Sequence, residues 1–217
     1  DDRIWCELQP TDALLAASGV ETWLTPAAAR QRIATQSARG TALHMLPAIR
    51  PAQTLATQAL SGLAELPPPS AALIQAVVQQ REVKDAGEIA QIELAVGVAT
   101  EMHEAARQAC ASGVTEAHLV RLMHGVVARH GARMAYGPIC TRDGQVLHHL
   151  SHDNTLRRGD LLLIDAGAEV PSGYASDVTR THCVDEAWTD TTRLLHHTVC
   201  AAQQAAAHSA RVGVPMA

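Results

Sequence analysis

The stretch L-L-L-I-D-A-G-A-E-V-P-S-G-Y-A-S-D-V-T-R-T occupies residues 161–181 and decides the fold. It begins as a short apolar strand that reaches Asp165, and a second strand is predicted from Tyr174 to Val184. The V-P-S-G segment between them is rich in turn residues, which predicts that the two strands fold back as an antiparallel hairpin. Such a hairpin brings Asp165 close to Asp177.

Two carboxylates in a partly dry site cannot both stay ionised unless a cation lies between them or one of them takes up a proton. A divalent metal meets this requirement, and oxygen-only ligands favour a hard ion such as Mn²⁺ or Mg²⁺. The spacing alone also allows an alternative without metal. In that alternative one aspartate accepts hydrogen bonds from turn amides and the other pairs with Arg180, and the residues leave both interpretations open.

The segments on either side of the hairpin predict a mixed domain of helices and strands. A capping-box start at Asp85 and an apolar stripe with helical spacing predict a helix over 86–112. Two more helices are predicted at 115–131 and 189–211, and strands near 135–140, 145–150, 160–165 and 173–184. We expect the three helices to cover one side of a curved antiparallel sheet.

The first part of the chain has shorter and weaker patterns. A capped helix is predicted over 10–20, a second helix over 23–32 with Thr25 as its N-cap, and a strand over 41–47. This segment is small and lightly apolar for an independent domain. We therefore interpret residues 1–78 as the C-terminal part of an N-terminal α/β domain followed by a linker.

Composition excludes several classes of protein. The chain has 217 residues, of which 47 % are hydrophobic and none is Phe, so Ala, Leu, Val and Ile must fill a sizeable core. Its formal net charge of −5 is spread without a basic stripe, which argues against nucleic-acid binding. No apolar run approaches the roughly 18 residues of a membrane span. Five cysteines without C-x-x-C spacing, and no signal-peptide pattern, indicate reduced thiols and a cytoplasmic location.

The stretch D-A-G-A-E…G-Y-A-S-D-V-T-R-T resembles the signature of the pita-bread metallopeptidases, in particular their Xaa-Pro aminopeptidase (aminopeptidase P) and prolidase branch. R-E-V-K-D-A-G-E-I at 81–89 resembles the opening of that family's catalytic domain. V-L-H-H-L-S-H-D-N-T-L-R-R-G-D-L-L-L-I-D-A-G at 146–167 resembles the run from the family's substrate-site histidine to its first metal aspartate. The resemblance implies an α+β fold for residues 79–217, namely the first half of a pita-bread (creatinase/aminopeptidase) domain.

The resemblance also implies roles for single residues. Asp165 matches the aspartate that binds one ion of a pair of divalent metals, for which Mn is expected, and Asp177 matches the aspartate that bridges both ions. His148 matches the catalytic histidine that contacts the substrate near the scissile bond. The remaining metal ligands of the family, one His and two Glu, are expected beyond Ala217, so that the chain looks like a fragment.

The expected function is that of a cytoplasmic metallo-aminopeptidase, in which a metal-activated hydroxide attacks the peptide bond before a proline at the second position. The fragment alone is expected to be inactive, and the resemblance is compatible with a homo-oligomer of the full-length protein. The alternatives are a prolidase, which cleaves Xaa-Pro dipeptides, and a metal-free binding protein with the same fold. Retention of Asp165, Asp177 and His148 argues against the metal-free alternative.

Three departures from the family pattern concern the fit of the substrate and leave the metal pair intact. His149 replaces the usual aromatic residue after the motif histidine, and the V-P-S-G turn is a residue longer than in many members. His182 and Cys183 stand where relatives commonly have Phe and Pro.

Overall fold

The computed structural model of this chain describes residues 15–16 and 18–215. The chain divides into two compact units, Asp1–Val83 and Lys84–Ala217. The helix predicted over 10–20 lies largely outside the described residues.

From residue 20 onward, the first unit contains three helices: α1 (Pro26–Ala38), α2 (Pro51–Ser61) and α3 (Ala71–Glu82). Thr25 caps α1 as predicted, because its side-chain oxygen accepts a hydrogen bond of 3.2 Å from the Ala28 amide. The strand predicted over 41–47 is wrong. A strand needs a hydrogen-bonded neighbour, and the described part of this unit contains no other strand.

Two helices of the second unit, α4 (Ala86–Gln108) and α5 (Glu116–Arg129), pack against each other. The predicted capping box begins α4. The Asp85 carboxylate accepts from the Glu88 amide at 2.8 Å, and the Glu88 carboxylate accepts from the Asp85 amide at 2.9 Å. Both helices therefore begin close to the residues that the sequence predicts.

Five strands follow along the chain: β1 (Arg133–Met134), β2 (Ile139–Thr141), β3 (Leu161–Ala166), β4 (Ala168–Glu169) and β5 (Val178–Cys183). Three of them form an antiparallel sheet in the order β2-β3-β5, with β3 in the centre. The short strands β1 and β4 form a separate antiparallel pair. The second unit is thus an α+β structure with an antiparallel sheet.

The central strand β3 separates the core of this unit from an open face. Leu162, Ile164 and Ala166 are buried in one cluster with Met102 of α4 and Leu119 of α5. Because side chains alternate along a strand, the residues between them point to the other face of the sheet. Helices α4 and α5 therefore cover one face, and β3 presents Asp165 on the other.

Two sequence predictions about this unit are wrong. The last helix, α6 (Asp190–Ser209), contains no buried residue, and its Leu194 and Val199 are exposed, so it does not cover the sheet. The strand predicted near 145–150 does not form. The strand β2 is the edge of the described sheet, and residues 145–150 do not pair with it. Neither α6 nor any other helix within the described residues is long and apolar enough to cross a membrane.

Two histidines lie between α4 and the sheet. His103 of α4 bonds the Ala166 carbonyl through Nε2 at 3.1 Å, while its Nδ1 is buried without a hydrogen-bond partner among the described residues. His182 of β5 lies opposite Leu162, on the helix-facing side, and its Nε2 is likewise buried and unpartnered. Burial lowers the pKa of both rings, because the protonated form loses hydration there.

We expect His182→Phe to stabilise the chain by about 1 kcal/mol at neutral pH, because it removes an unpartnered buried nitrogen and keeps an aromatic ring in place. The folded pKa of His182 lies below its unfolded value, so the unfolded chain binds the extra proton as the solution becomes acidic. The wild-type free energy of unfolding should therefore fall by at most about 1.4 kcal/mol per pH unit for each such histidine, beginning near pH 6.5.

Urea unfolding of the 217-residue chain between pH 5 and 7.5 measures this effect. His182→Phe should flatten the pH dependence, whereas His124→Phe, at an exposed position of α5, should leave it unchanged. An unaltered slope in His182→Phe would show that this ring is not held neutral by the fold.

Candidate metal centre

Asp165 lies on the open face of the sheet near the end of its central strand. In the ladder it stands opposite Ile139 of β2 and Thr179 of β5, and its side chain is half-buried. Its neighbours Ile164 and Ala166 point into the core. The carboxylate is therefore held by a strand that is paired on both sides.

Asp177 directly precedes β5 and belongs to the same face of the sheet. Asp165 pairs with Thr179, and Asp177 is two residues from Thr179, which places the two aspartates on one face by strand alternation. The hairpin between them is more elaborate than predicted, because β4 and a turn closed by the Val170 amide on the Tyr174 carbonyl (3.0 Å) lie within it.

The turn of this hairpin is tied to the first turns of α4. The Tyr174 hydroxyl donates to the Glu88 carboxylate at 2.8 Å, and the Ser172 hydroxyl donates to the Gln91 side chain at 2.7 Å. The helix that backs the sheet therefore also anchors the hairpin that supplies Asp177.

One hydroxyl group connects the two aspartates. The Tyr136 hydroxyl contacts Asp165 Oδ1 at 2.5 Å and Asp177 Oδ1 at 2.7 Å, so these two oxygens lie no more than about 5 Å apart. A tyrosine hydroxyl carries one proton and can donate it to only one carboxylate at a time, while an ionised carboxylate can only accept. One of the two carboxylate oxygens is therefore left without the hydroxyl proton at any moment, and a cation close to both oxygens would attract it.

Tyr136 is suited to act as this donor because it keeps its proton. Burial raises the pKa of the phenol above its ordinary value, and the hydrogen bonds to Asp165 and Asp177 raise it further, since both stabilise the neutral hydroxyl beside negative charge. Tyr136 lies between β1 and β2, and the pairing of β2 with β3 brings it next to Asp165.

A close approach of two backbones sets the position of Asp177. A Cβ built on Gly167 would lie 1.8 Å from the carbonyl oxygen of Ser176, so only glycine fits at this point. Ser176 is itself buried, and its hydroxyl donates to the Ala95 carbonyl of α4 at 3.0 Å. Its amide donates to the Ala168 carbonyl at 2.9 Å. These contacts hold the residue before Asp177 against both β4 and the helix.

The structure does not bring His148 to the aspartates by any hydrogen bond between described residues. The prediction that it projects from a strand is wrong, because it lies exposed in a turn seven positions after β2 ends at Thr141. The physical reason is that the residues around it have no strand to pair with. Val146, Leu147 and Leu150 are exposed around it.

The alternative in which Arg180 neutralises an aspartate is not what the structure shows. Arg180 lies opposite Ile164, on the helix-facing side of the sheet, and its guanidinium donates to the Thr179 carbonyl at 2.7 Å. Within the described ranges, neither Asp165 nor Asp177 forms an ion pair with a cationic side chain. No cationic side chain within those ranges therefore compensates the charge of the two aspartates.

The donor set fits part of a site for a hard divalent ion. Asp165 and Asp177 offer carboxylate oxygens that converge on one point, which is the ligand type that Mg²⁺ and Mn²⁺ prefer. Nowhere in residues 15–215, residue 17 aside, do three or more His, Cys, Asp or Glu side chains gather closely enough to hold a metal ion. The aspartate pair can therefore supply two ligands of such a site and not a complete set.

Two residues of the site, Tyr136 and Gly167, are not among those that the sequence patterns predict for it. Gly167 belongs to the D-A-G motif, and a glycine directly after a strand is a signal for close backbone approach. Tyr136 has no comparable local signal. Its role depends on the pairing of β2 with β3, which joins residues far apart in the chain.

Comparisons with known proteins identify the family to which the sequence is similar. The sequence model of metallopeptidase family M24 matches residues 90–217. Over 126 residues the chain is 36% identical to the Xaa-Pro aminopeptidase of Escherichia coli (strain K12), a match that covers 57% of this chain and 28% of that protein. Over 154 residues it is 32% identical to Xaa-Pro aminopeptidase 2 of Streptomyces coelicolor, covering 66% of this chain and 31% of that protein.

Solved structures give the same result for the fold. A glutamate-to-alanine variant of Escherichia coli aminopeptidase P in complex with substrate matches 88% of this chain and 46% of its own, with a TM-score of 0.71 and 29% identity. Proline aminopeptidase P II from Yersinia pestis matches 60% of this chain and 30% of its own, with a TM-score of 0.58 and 36% identity. The predicted partial pita-bread fold is confirmed. The chain spans about a third of the length of the two curated relatives named above.

We expect Gly167→Ala to destabilise the second unit by at least about 2 kcal/mol, because a methyl group cannot share space with the Ser176 carbonyl and the two segments must separate. Urea unfolding of the 217-residue chain measures the change. Gly97→Ala is the matched control, since nothing lies within 4 Å of its added methyl and alanine favours the helix by up to about 1 kcal/mol. Equal effects at both positions would contradict the close approach at Gly167.

Proposed function

The chain belongs to metallopeptidase family M24, and from that premise we propose that it is part of an aminopeptidase that releases the N-terminal residue of a peptide with proline at the second position. The observation that carries the proposal is the convergence of Asp165 and Asp177 on the Tyr136 hydroxyl. Among the described residues the two carboxylates have no cationic partner, and in a metallopeptidase a metal ion supplies the positive charge.

The proposed metal ligands are Asp165 for one divalent ion and Asp177 as the bridge between two, with Mn²⁺ as the expected ion. When bound, such ions lower the pKa of a water molecule and polarise a carbonyl group. The Tyr136 hydroxyl lies within hydrogen-bond distance of both carboxylates and donates its single proton to one of them at a time, which holds the two side chains close together. The other ligands, one histidine and two glutamates, are expected outside this sequence.

His148 is proposed to act on the substrate. Its exposed ring can donate a hydrogen bond to the carbonyl oxygen of the scissile peptide bond. A donor placed where negative charge develops on that oxygen lowers the barrier of the reaction more than it strengthens binding. The ring does not need to bind metal for this role.

The substrate class rests on the relatives, which are named Xaa-Pro aminopeptidases in Escherichia coli and Streptomyces coelicolor. We extend that specificity to this chain as part of the proposal. The same holds for its location in the cytoplasm and for assembly of the full-length protein into a homo-oligomer.

Substitution of the aspartates in the full-length protein tests the proposal. Asp177→Asn should abolish Mn²⁺-dependent cleavage of an Xaa-Pro peptide, because the bridging position loses the charge that holds two cations together. Asp165→Asn should be nearly as severe. His148→Ala should retain bound metal and lower kcat by about 10²–10³-fold. Peptide cleavage and metal content of the purified variants are the two measurements.

Asp190→Asn, in the first turn of α6 and outside the proposed site, is the matched control and should keep full activity. Undiminished Mn²⁺-dependent cleavage by Asp177→Asn would overturn the metal assignment.

The isolated 217-residue chain should show no measurable cleavage of Xaa-Pro peptides and only weak affinity for Mn²⁺. Within the described residues the site offers two carboxylates, and a stable pair of ions needs more protein ligands than that. Peptide cleavage and calorimetric titration with Mn²⁺ test this expectation. Robust activity of the isolated chain would mean that its own residues complete the site.

A further inference from the structure

A loop without regular structure joins β2 to β3, and its central part, residues 143–153, carries the exposed His148; we call it the His148 loop. The loop also exposes the apolar side chains of Val146, Leu147 and Leu150. A side chain in such a loop is positioned only as well as the ends of the loop are held. The residues that hold the two ends therefore matter for His148.

Both ends of the His148 loop meet at one carboxylate. Glu116, the first residue of α5, is fully buried, with an exposed fraction of 0 %. Its Oε1 accepts a hydrogen bond of 2.8 Å from the Arg142 amide, immediately before the loop. The Asn154 amide, immediately after the loop, donates to Oε2 at 3.3 Å, and the Asn154 side-chain nitrogen donates to Oε1 at 3.1 Å.

The first backbone amides of α5 also donate hydrogen bonds to the C-terminal end of the His148 loop. The Glu116 amide donates to the Asn154 carbonyl at 3.0 Å, and the Ala117 amide donates to the His152 carbonyl at 3.1 Å. The first amides of a helix have no partner within the helix, so the loop satisfies them. The side chain of Glu116 therefore accepts hydrogen bonds from Asn154, and its backbone amide donates one to the Asn154 carbonyl.

Neighbouring contacts close the base of the loop further. The Asn154 side chain also donates to the Asp143 carboxylate at 3.0 Å, and the His152 ring bonds the Pro138 carbonyl at 3.0 Å. The Arg142 guanidinium lies 3.0 Å from the Asp160 carboxylate. The loop is therefore pinned at its base, whereas its middle, around His148, forms no hydrogen bond to α5 among the described residues.

A buried carboxylate is costly unless its oxygens are hydrogen-bonded. Three N–H donors point at Glu116, and each requires an acceptor, so an ionised carboxylate is matched to this position and an amide is not. Glu116→Gln would keep one acceptor oxygen and would place an NH₂ group, which is a donor, against N–H groups that are also donors. The role of Glu116 is therefore specific to its charge and shape.

We propose that Glu116 is a positioning residue for His148: it holds together the two ends of the His148 loop and so sets where the imidazole meets the substrate. The inference rests on the proposed function for the role of His148. Its structural part, the clamp on the loop, stands on the contacts of Glu116 alone.

Amide hydrogen exchange on the 217-residue chain tests the clamp without any need for activity. Glu116→Gln should increase the exchange of the Arg142 and Asn154 amides by at least about tenfold, because the amide side chain leaves only one oxygen for the hydrogen bonds that both amides donate. Asn154→Ala, which leaves the buried charge in place, should loosen the loop in the same direction. Glu104→Gln is the matched control, since the Glu104 carboxylate accepts its hydrogen bonds from Arg107 and Gln108 of its own helix and makes none to the His148 loop among the described residues.

A double-mutant cycle in the full-length protein tests the link to His148. Glu116→Gln should lower kcat for an Xaa-Pro peptide by about tenfold when His148 is present, and by less than about twofold in the His148→Ala background. A purely structural role would give the same factor in both backgrounds. Thermal unfolding of each variant identifies loss of folded protein, and Asn154→Ala takes the place of Glu116→Gln if the latter does not fold.

The outcomes separate the two proposals. Unchanged exchange of the loop amides in both Glu116→Gln and Asn154→Ala would overturn the clamp. Additive losses of kcat would overturn the positioning role while leaving the proposed function intact. Full activity of His148→Ala would overturn the proposed role of His148, and with it the catalytic part of this inference.

Discussion

One tyrosine hydroxyl lies between two carboxylates, and the described residues place no cationic side chain beside either of them. Tyr136 can donate to Asp165 or to Asp177, but not to both at once. Asp165 is half-buried and Asp177 is exposed, and like charges at this distance repel each other unless a cation lies between them. The fold must therefore hold the two side chains together against their own repulsion.

The hydrophobic core behind the sheet keeps the two aspartates in place. Every second residue of β3 is buried against α4 and α5, so that the strand cannot turn without exposing apolar surface. His103 bonds the carbonyl of Ala166, next to Asp165, and Ser176 bonds the backbone of α4 next to Asp177. The same helix thus fixes the backbone beside each aspartate, and Gly167 permits the close contact that this requires.

The candidate substrate histidine is held by a different part of the molecule. Helix α5 contributes its apolar side to the core and its first turn to the base of the His148 loop, where Glu116 accepts bonds from both loop ends. The positions of Asp165 and Asp177 depend on apolar packing behind the sheet, and this packing does not depend on the charge of nearby groups. The loop depends on a buried carboxylate, whose strength comes from charge-assisted hydrogen bonds. The two groups proposed to meet at the substrate are therefore positioned by separate physical means.

The sequence by itself determined the hairpin, the aspartate pair and the caps of the main helices, because these depend on local alternation, turn residues and side chains three positions apart. The resemblance to pita-bread metallopeptidases, carried by the same motifs, indicated the family. Only the tertiary structure decided the roles of Tyr136 and Glu116, the absence of a strand around His148 and the exposure of α6. Each of these depends on which distant segment is available as a hydrogen-bonding or packing partner, and local sequence patterns carry no information about that partner.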